Sequence, residues 1–421
     1  MPVRRLLAIS VPWFGLSMLG DGLSALVLPY LLLLLVNADA QATVLGVATL
    51  AGLSLGMLIQ PLAGAVSDRR GSRRPLLLGG MGLAVVGLGG LAFGPVIGLA
   101  GVLGLYLLAT SGANVAQSGQ QALIPDQVPA ASRGRAAGLK GVMDVGGAFA
   151  AFAVLAAFLS EGMFSSAMLV LVAAFAVTIG AGVLPRPPSG AERAGPERVR
   201  PSVLWRDLGR TGPFTMLLLV RFCVLLGVYA VGRFLLLFIA HRLNLEPEAA
   251  AAEAGVVLAV LALLTAGASI PAGWAADRLG RRPTMAGGAV LAAAGIGLLV
   301  VATDTTQIML FGIPLALGTA AFGAGSWAMA TDLVSPSAAG RQMGVANYAT
   351  AGAAAAAGLL GPLVDAVERA VPGLGYALLM LLAATAALVG GGLALGLPDT
   401  SRASAAAATP SIPTAPAQGK D

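Results

Sequence analysis

The 421 residues are 57% hydrophobic and only 10% charged, with a mean hydropathy of +0.87 and a net charge of +6. So apolar a chain is a polytopic membrane protein, and its basic excess does not mark a nucleic-acid binder, because the lysines and arginines sit in short loops with no aromatic-basic reader motif among them. A single cysteine, Cys223, and a single histidine, His241, exclude an intrachain disulfide and a Cys/His metal cluster, so neither metal nor cofactor is expected.

In chain order, Arg4 and Arg5 precede an apolar run of about 30 residues, too long for a signal-peptide core and read as a retained first helix. At about 20 residues per span, the pattern predicts helices near 7–36, 44–66, 75–93, 97–124, 136–159 and 164–184, then 213–241, 251–273, 284–302, 307–331, 342–366 and 374–396. Between the two sets, residues 185–212 carry Pro185, Pro187, Pro188, Glu192, Arg193, Glu197, Arg198 and Arg200, a solvated linker with a short surface helix near Val203–Leu208. The last stretch, 398–421, is rich in Ala, Ser, Thr and Pro and is expected to be a disordered cytoplasmic tail. The predicted fold is therefore all-α, with twelve transmembrane helices in two pseudo-symmetric six-helix bundles, 1–184 and 213–397.

Loop charge fixes an orientation. With both termini in the cytoplasm, 21 of the 25 lysines and arginines fall on the inside, Arg242 and Arg369 on the outside, and Arg221 and Arg233 within helix 7. A multi-pass protein of the cell membrane with cytoplasmic termini follows.

Two repeats relate the halves. Gly64-Ala-Val-Ser-Asp68-Arg69-Arg70-Gly71-Ser72-Arg73-Arg74-Pro75 follows helix 2, and Gly273-Trp-Ala-Ala-Asp277-Arg278-Leu-Gly280-Arg281-Arg282-Pro283 follows helix 8, with Asp68 and Asp277 209 residues apart. In each copy the Gly four residues before the Asp shares its helix face and admits a close neighbour, while the later Gly allows a tight reversal held in the headgroup layer by arginines. The second repeat pairs Asp126 and Gly134-Arg135 with Asp332 and Gly340-Arg341 at an offset of 206. Six helices per half leave the copies pointing the same way, related by an axis along the membrane normal.

These motifs, with the twelve spans and the linker, resemble the major facilitator superfamily over the whole chain except its tail. The second signature fits without gaps, whereas the first has Ser72 inserted, which leaves Arg73 and Arg74 interchangeable. Helices 1 and 2 and Arg221–Leu243 are faintly similar to the glycoside-pentoside-hexuronide cation symporter branch. The resemblance implies two bundles rocking about a cavity lined by helices 1, 4, 7 and 10. It also implies a cytoplasmic gate in which Asp68 caps helix 11 near Gln342–Gly344 and Asp277 caps helix 5 near Ala136. Gly64, Asp68, Arg69, Arg73, Arg74, Asp126, Arg135, Gly273, Asp277, Arg278, Arg281, Arg282, Asp332 and Arg341 are assigned to that gate.

Asp21 lies near the middle of helix 1, where a charge costs at least about 2.5 to 3.5 kcal/mol and must face protein, water or a proton. Ser17, Asp21 and Ser24 share a face, and on helix 7 Arg221, Tyr229 and Arg233 share a broad sector. Asp21 and Arg233 are expected to approach across the cavity. Helix 4 offers Ser111, Asn114, Gln117, Ser118 and Gln121, suited either to a polar solute or to joining helices, and helix 10 offers Thr319, Ser326 and Trp327. Lys140 and Asp144, four apart, are expected to pair.

The sequence holds no metallohydrolase His-Glu-x-x-His, no nucleophile elbow and no ATP-binding phosphate loop, so neither an enzyme nor a primary pump is expected. The reading is a monomeric secondary transporter of a small polar or sugar-like solute by alternating access, coupled to protons through Asp21 and embedded in the lipid bilayer. Drug or metabolite efflux is the alternative within that class, and a non-transporting membrane sensor or assembly partner is the alternative outside it.

Overall fold

In the computed structural model, residues 3–70, 74–129, 132–183, 212–333 and 339–398 are described; among these, the side chains of 3, 68–70, 122, 124–126, 133–134, 182–183, 339–344 and 347–348 are not. The linker, with its expected helix near Val203–Leu208, and the tail beyond 398 lie outside the described residues.

Twelve helices among the described residues are long and apolar enough to cross a membrane. They are α1 (Val3–Gly22, continued through Leu23–Val27 and Leu28–Leu35), α2 (Gln41–Arg70), α3 (Arg74–Leu91), α4 (Gly94–Gln127), α5 (Arg133–Leu159), α6 (Phe164–Val183), α7 (Gly212–Leu243), α8 (Pro247–Arg278), α9 (Arg281–Leu299), α10 (Thr305–Leu333), α11 (Ala339–Gly358 and Gly361–Ala370) and α12 (Leu374–Ala394). No strand occurs among them, because in lipid each backbone N–H and C=O must find a partner within its own helix. Even the prolines inside α1, α2, α8 and α10, at 12, 61, 271 and 314, leave those helices continuous. α1 differs from the uniform helix expected: a π-helical turn over Leu23–Val27 follows directly on Asp21 and Gly22.

Within each half, helices meet through glycine. A methyl group at Gly80 in α3 would strike the Gly112 carbonyl of α4 at 2.6 Å, and one at Gly288 in α9 would strike the Gly318 carbonyl of α10 at 2.8 Å. One further contact of the same kind follows in each pair: Gly87 lies against Ala109 and Gly295 against Leu315. The two glycines are seven residues apart in both halves, so the backbone contacts repeat the internal duplication read from the loops. At the hinge from α8 to α9, Gly280 takes φ 105°, the left-handed conformation expected of the reversal. Its counterpart Gly71 lies outside the described residues.

The halves join at the end of the bundle opposite the termini. There the start of α2 meets the break in α11, with Gly46 against the backbone of Gly358 at the end of its first part and the Ala42 carbonyl against Gly361 at the start of its second. Asp365, 1% exposed, accepts hydrogen bonds from the Ala42 and Thr43 amides at 3.2 and 2.6 Å. A carboxylate from one half thereby caps the first turn of a helix in the other. Nearby, the Tyr30 hydroxyl donates to Glu248 at 3.1 Å, and Gly255 of α8 packs on Phe152 and Ala156 of α5.

Removing a buried cap of this kind costs about 1 to 2 kcal/mol, close to a tenfold change in the ratio of closed to open opposite face. In a Cys223→Ala background spin-labelled at Asp39→Cys and Val371→Cys, adding Asp365→Ala is expected to populate a longer distance across that face. An unchanged distance distribution would show that the cap does not hold the halves together.

Candidate functional site

Between the halves lies a cavity of about 1170 Å³. Its floor, at mid-depth, includes Asp21, Ser24, Tyr229 and Arg233, and its wall reaches Gly64, Gln121 and Lys140, close to the ends of α2, α4 and α5 that lie on the terminal side. Contacts between the halves seal the opposite end, so the cavity opens towards the face that carries the termini.

From the α1 side, Ser17, Asp21 and Ser24 enter the cavity as the shared helical face requires. Ser17 Oγ donates to Asp21 Oδ2 at 2.7 Å, and Ser24 Oγ returns to the Gly20 carbonyl at 2.6 Å. On α5, Lys140 and Asp144 pair at 2.5 Å as expected, and the Lys140 ammonium lies 4.0 Å from the centre of the Trp13 ring, a cation–π contact. Asp144 is within electrostatic reach of Asp21.

The amide stripe of α4 is turned inward but partly occupied. Gln60 of α2 donates to Asn114 Oδ1 at 2.7 Å and to Gln117 Oε1 at 3.0 Å, while Asn114 Nδ2 donates to the Thr110 carbonyl at 2.8 Å. Both readings of the stripe hold together here: the amides tie α2 to α4 and also line the cavity with Gln121 and Ser118. Ser111 and Thr319 are not among the lining residues. Gln60 and Tyr106 were missed by the sequence reading; a lone amide in the apolar run of α2 was the available signal for the first, and Tyr106 gave none.

α7 departs from expectation. Asp21 and Arg233 share the cavity but form no ion pair: Ser17 holds the carboxylate from one turn away, and Tyr106 and Tyr229 are the polar groups in reach of Arg233. Arg221 lies behind the wall, buried, with Nη1 on Ser326 Oγ at 2.9 Å and Nη2 on Thr350 Oγ1 at 3.1 Å. It braces α7 against α10 and α11 through neutral hydroxyls. Trp327 is also displaced from the expected wall: its neighbour Ser326 is fully buried facing Arg221, and one residue further round the helix Trp327 is 50% exposed, outside the lining.

At the terminal face, Arg281 bonds Asp332 at 2.9 Å and Asp277 at 3.3 Å, tying the α8–α9 hinge to the end of α10, and Arg282 reaches the Leu397 carbonyl at 3.5 Å. Asp277 is 70% exposed and does not cap α5, because the halves stand apart on this side. Arg74, Arg135 and Arg278 are exposed, and Gly273 is half-buried. The side chains of Asp68, Arg69, Asp126 and Arg341, and all of Arg73, lie outside the described residues, as does the expected cap of α11 near Gln342–Gly344. Among the described residues no group of three or more His, Cys, Asp or Glu side chains could hold a metal.

Ser326→Ala leaves an Arg221 nitrogen buried without its partner, a loss of roughly 1 to 3 kcal/mol, whereas Trp327→Ala removes an exposed ring. Thermal unfolding in detergent is expected to show a clearly lower Tm for Ser326→Ala than for Trp327→Ala; the reverse order would place the bracing role elsewhere.

A family model described as Major Facilitator Superfamily matches residues 13–252 and 217–417. No curated protein gives a significant match to the sequence. Among solved structures, a bacterial homologue of the human lysosomal transporter Spinster, in an inward-facing and occupied conformation, is similar at 16% identity, with 94% of this chain and 96% of that one covered and a TM-score of 0.72. A POT family transporter in complex with a thioalcohol-conjugated peptide is similar at 13% identity, with 92% and 94% covered and a TM-score of 0.72. A POT family transporter in complex with 5-aminolevulinic acid has the same identity and coverage, 13%, 92% and 94%, and a TM-score of 0.71.

Proposed function

The chain belongs to the Major Facilitator Superfamily, and on that premise we propose that it is a secondary transporter carrying a small polar solute by alternating access, with Asp21 as the proton-binding group. The observation that carries this reading is a cavity closed at one end by inter-half contacts and open at the other, with an acid at its floor. A carrier must hold such an arrangement in one of its two states, and the loosely built terminal face is the one that would close in the other.

Asp21 is suited to coupling because its charge is not cancelled by a direct cation. Ser17 is its hydrogen-bond donor; Lys140 and Asp144 of α5 and Tyr229 and Arg233 of α7 line the cavity around it, α4 adds Tyr106, and the neighbouring residue of α8, Leu258, does not titrate. Protonation removes one negative charge from the floor and alters the balance between lobes that carry opposite charges there. The amides Gln117 and Gln121 favour a solute with hydrogen-bonding groups, in keeping with the peptide and aminolevulinic acid bound by transporters of similar fold. Leu16, Leu19, Leu53 and Met57 in the same wall favour a second reading, efflux of an amphipathic metabolite.

With the termini in the cytoplasm, as the loop charges indicate, the cavity faces inward. In whole cells carrying the Cys223→Ala protein, a membrane-impermeant maleimide is expected to label Asp39→Cys and to spare Leu279→Cys until the membrane is permeabilised; the opposite pattern inverts the orientation.

For coupling, a solute that stabilises the purified protein is reconstituted with it in proteoliposomes. Asp21→Asn is expected to keep exchange of labelled for unlabelled solute while losing roughly tenfold or more of the accumulation driven by an imposed proton gradient. A variant that still concentrates the solute removes Asp21 from coupling.

A further inference from the structure

Four ionisable side chains of fixed charge line the cavity: Asp21, Lys140, Asp144 and Arg233. Lys140 and Asp144 neutralise each other at 2.5 Å, which leaves Asp21 and Arg233. Arg233 is the unusual one. Its Nε and Nη1 are enclosed by protein and make no hydrogen bond, and it forms no ion pair with any described residue. By contrast Arg221, more than three turns away on the same helix, has both of its terminal nitrogens held by hydroxyls, those of Ser326 and Thr350, and only its Nε unmet. A guanidinium in the middle of a membrane span is costly unless its donors are met; Tyr106 and Tyr229 in its reach cannot supply a countercharge, and Asp21 across the recess makes no ion pair with it.

A recess of about 130 Å³ lies against Arg233 and Asp21, walled by Ser24, Phe152, Tyr229 and Leu258. It has room for a carboxylate and a few carbons, among the aromatic and aliphatic side chains of Phe152 and Leu258 and the hydroxyl-bearing Ser24 and Tyr229. From there the main cavity leads along Gln117 and Gln121, where the remainder of a solute would lie.

We propose that Arg233 is the docking point for the carboxylate of a small organic monoanion, which is therefore the substrate class of this cavity. The planar fork of a guanidinium donates two parallel hydrogen bonds to a carboxylate, a match that an ammonium does not offer; with Nε and Nη1 enclosed, the side chain turns towards the recess to present that fork. The charge balance selects a monoanion: the four lining charges cancel while Asp21 is ionised and leave one positive charge once it is protonated. One proton on Asp21 and one carboxylate on Arg233 thus restore neutrality in a region of low dielectric, and each favours the binding of the other. A dianion such as sulfate would leave the site with excess negative charge. The groups that share this field with Asp21 are Lys140 and Asp144 on α5, Tyr229 and Arg233 on α7 and Tyr106 on α4, with Ser17 on its own helix.

The inference rests on the transporter reading for its mechanism, and its test separates the two. Purified full-length protein is screened by thermal shift with lactate, benzoate and gluconate, each beside a neutral counterpart: lactamide, benzamide and glucitol. Sulfate, a dianion in acid and at neutral pH alike, is run as the competing anion. The expected result is that a carboxylate stabilises the protein where its neutral counterpart and sulfate do not, more strongly in acid than at neutral pH. Arg233→Gln is expected to weaken that binding roughly 30-fold or more, and Arg233→Lys to retain part of it. If Arg233→Gln does not fold, the carboxylate and neutral pairs on the unaltered protein and on Arg233→Lys decide.

The proposal is overturned if no carboxylate surpasses its neutral counterpart, if sulfate binds as well, or if Arg233→Gln binds a carboxylate unchanged. Proteoliposomes that accumulate a neutral probe would defeat the monoanion site and leave the transporter reading intact. Carboxylate binding that depends on Arg233, without uptake by proteoliposomes, would do the opposite.

Discussion

Within the hydrocarbon layer a charged side chain has little water to stabilise it, and each one must be matched by an opposite charge, a set of hydrogen-bond partners, a proton or a bound solute. The described part of this protein shows each of the first two solutions. Lys140 and Asp144 cancel each other, and Arg221 is held by the hydroxyls of α10 and α11. Asp21 and Arg233 have neither in full, and both face the cavity. The residues whose charge the protein leaves incompletely answered are those that a transported solute and a proton would complete.

The same constraint shapes the seam between the halves. At the opposite face, two helices approach until a glycine hydrogen meets a backbone carbonyl, and Asp365 supplies acceptors to the amides that the first turn of α2 leaves unpaired. This contact is strong enough to define a closed state and of a size that thermal motion and ligand binding can reverse. The terminal face, by contrast, presents Asp277 to solvent, with Arg281 and Asp332 linked inside one half. The carboxylate-to-helix-end device that the loop signature suggested for the terminal face is thus seen at the other face, made by a residue outside the signature.

Much of the architecture was legible in the sequence because long apolar runs and charged loops report the membrane directly. The twelve spans, the twofold repeat, the reversal at Gly280 and the Lys140–Asp144 pair follow from spacing alone. Residues on the inner face of α1 were legible too, since Ser17, Asp21 and Ser24 obey one helical period. What could not be read was the partner of each group across helices. Nothing in the spacing of Arg221 distinguishes a cavity residue from one braced by Ser326, because that depends on how α7 is rotated against α10. Asp365 gave no signal for a similar reason: its acceptors serve backbone amides, which are present at every position. The π turn after Asp21 carries no compositional mark.

The matched glycines of α3 and α9 have a consequence for how kinship between the two lobes should be sought. Gly80 and Gly87 stand to α4 as Gly288 and Gly295 stand to α10, each at a spot where a single methyl would collide with main-chain atoms. Surface arginines can be exchanged, and an insertion such as Ser72 can slip into a loop, without moving a helix axis. A hydrogen replaced by carbon at those four crossings would push whole rods apart. Common descent in a doubled membrane chain is accordingly recorded most durably in what its tightest crossings leave out.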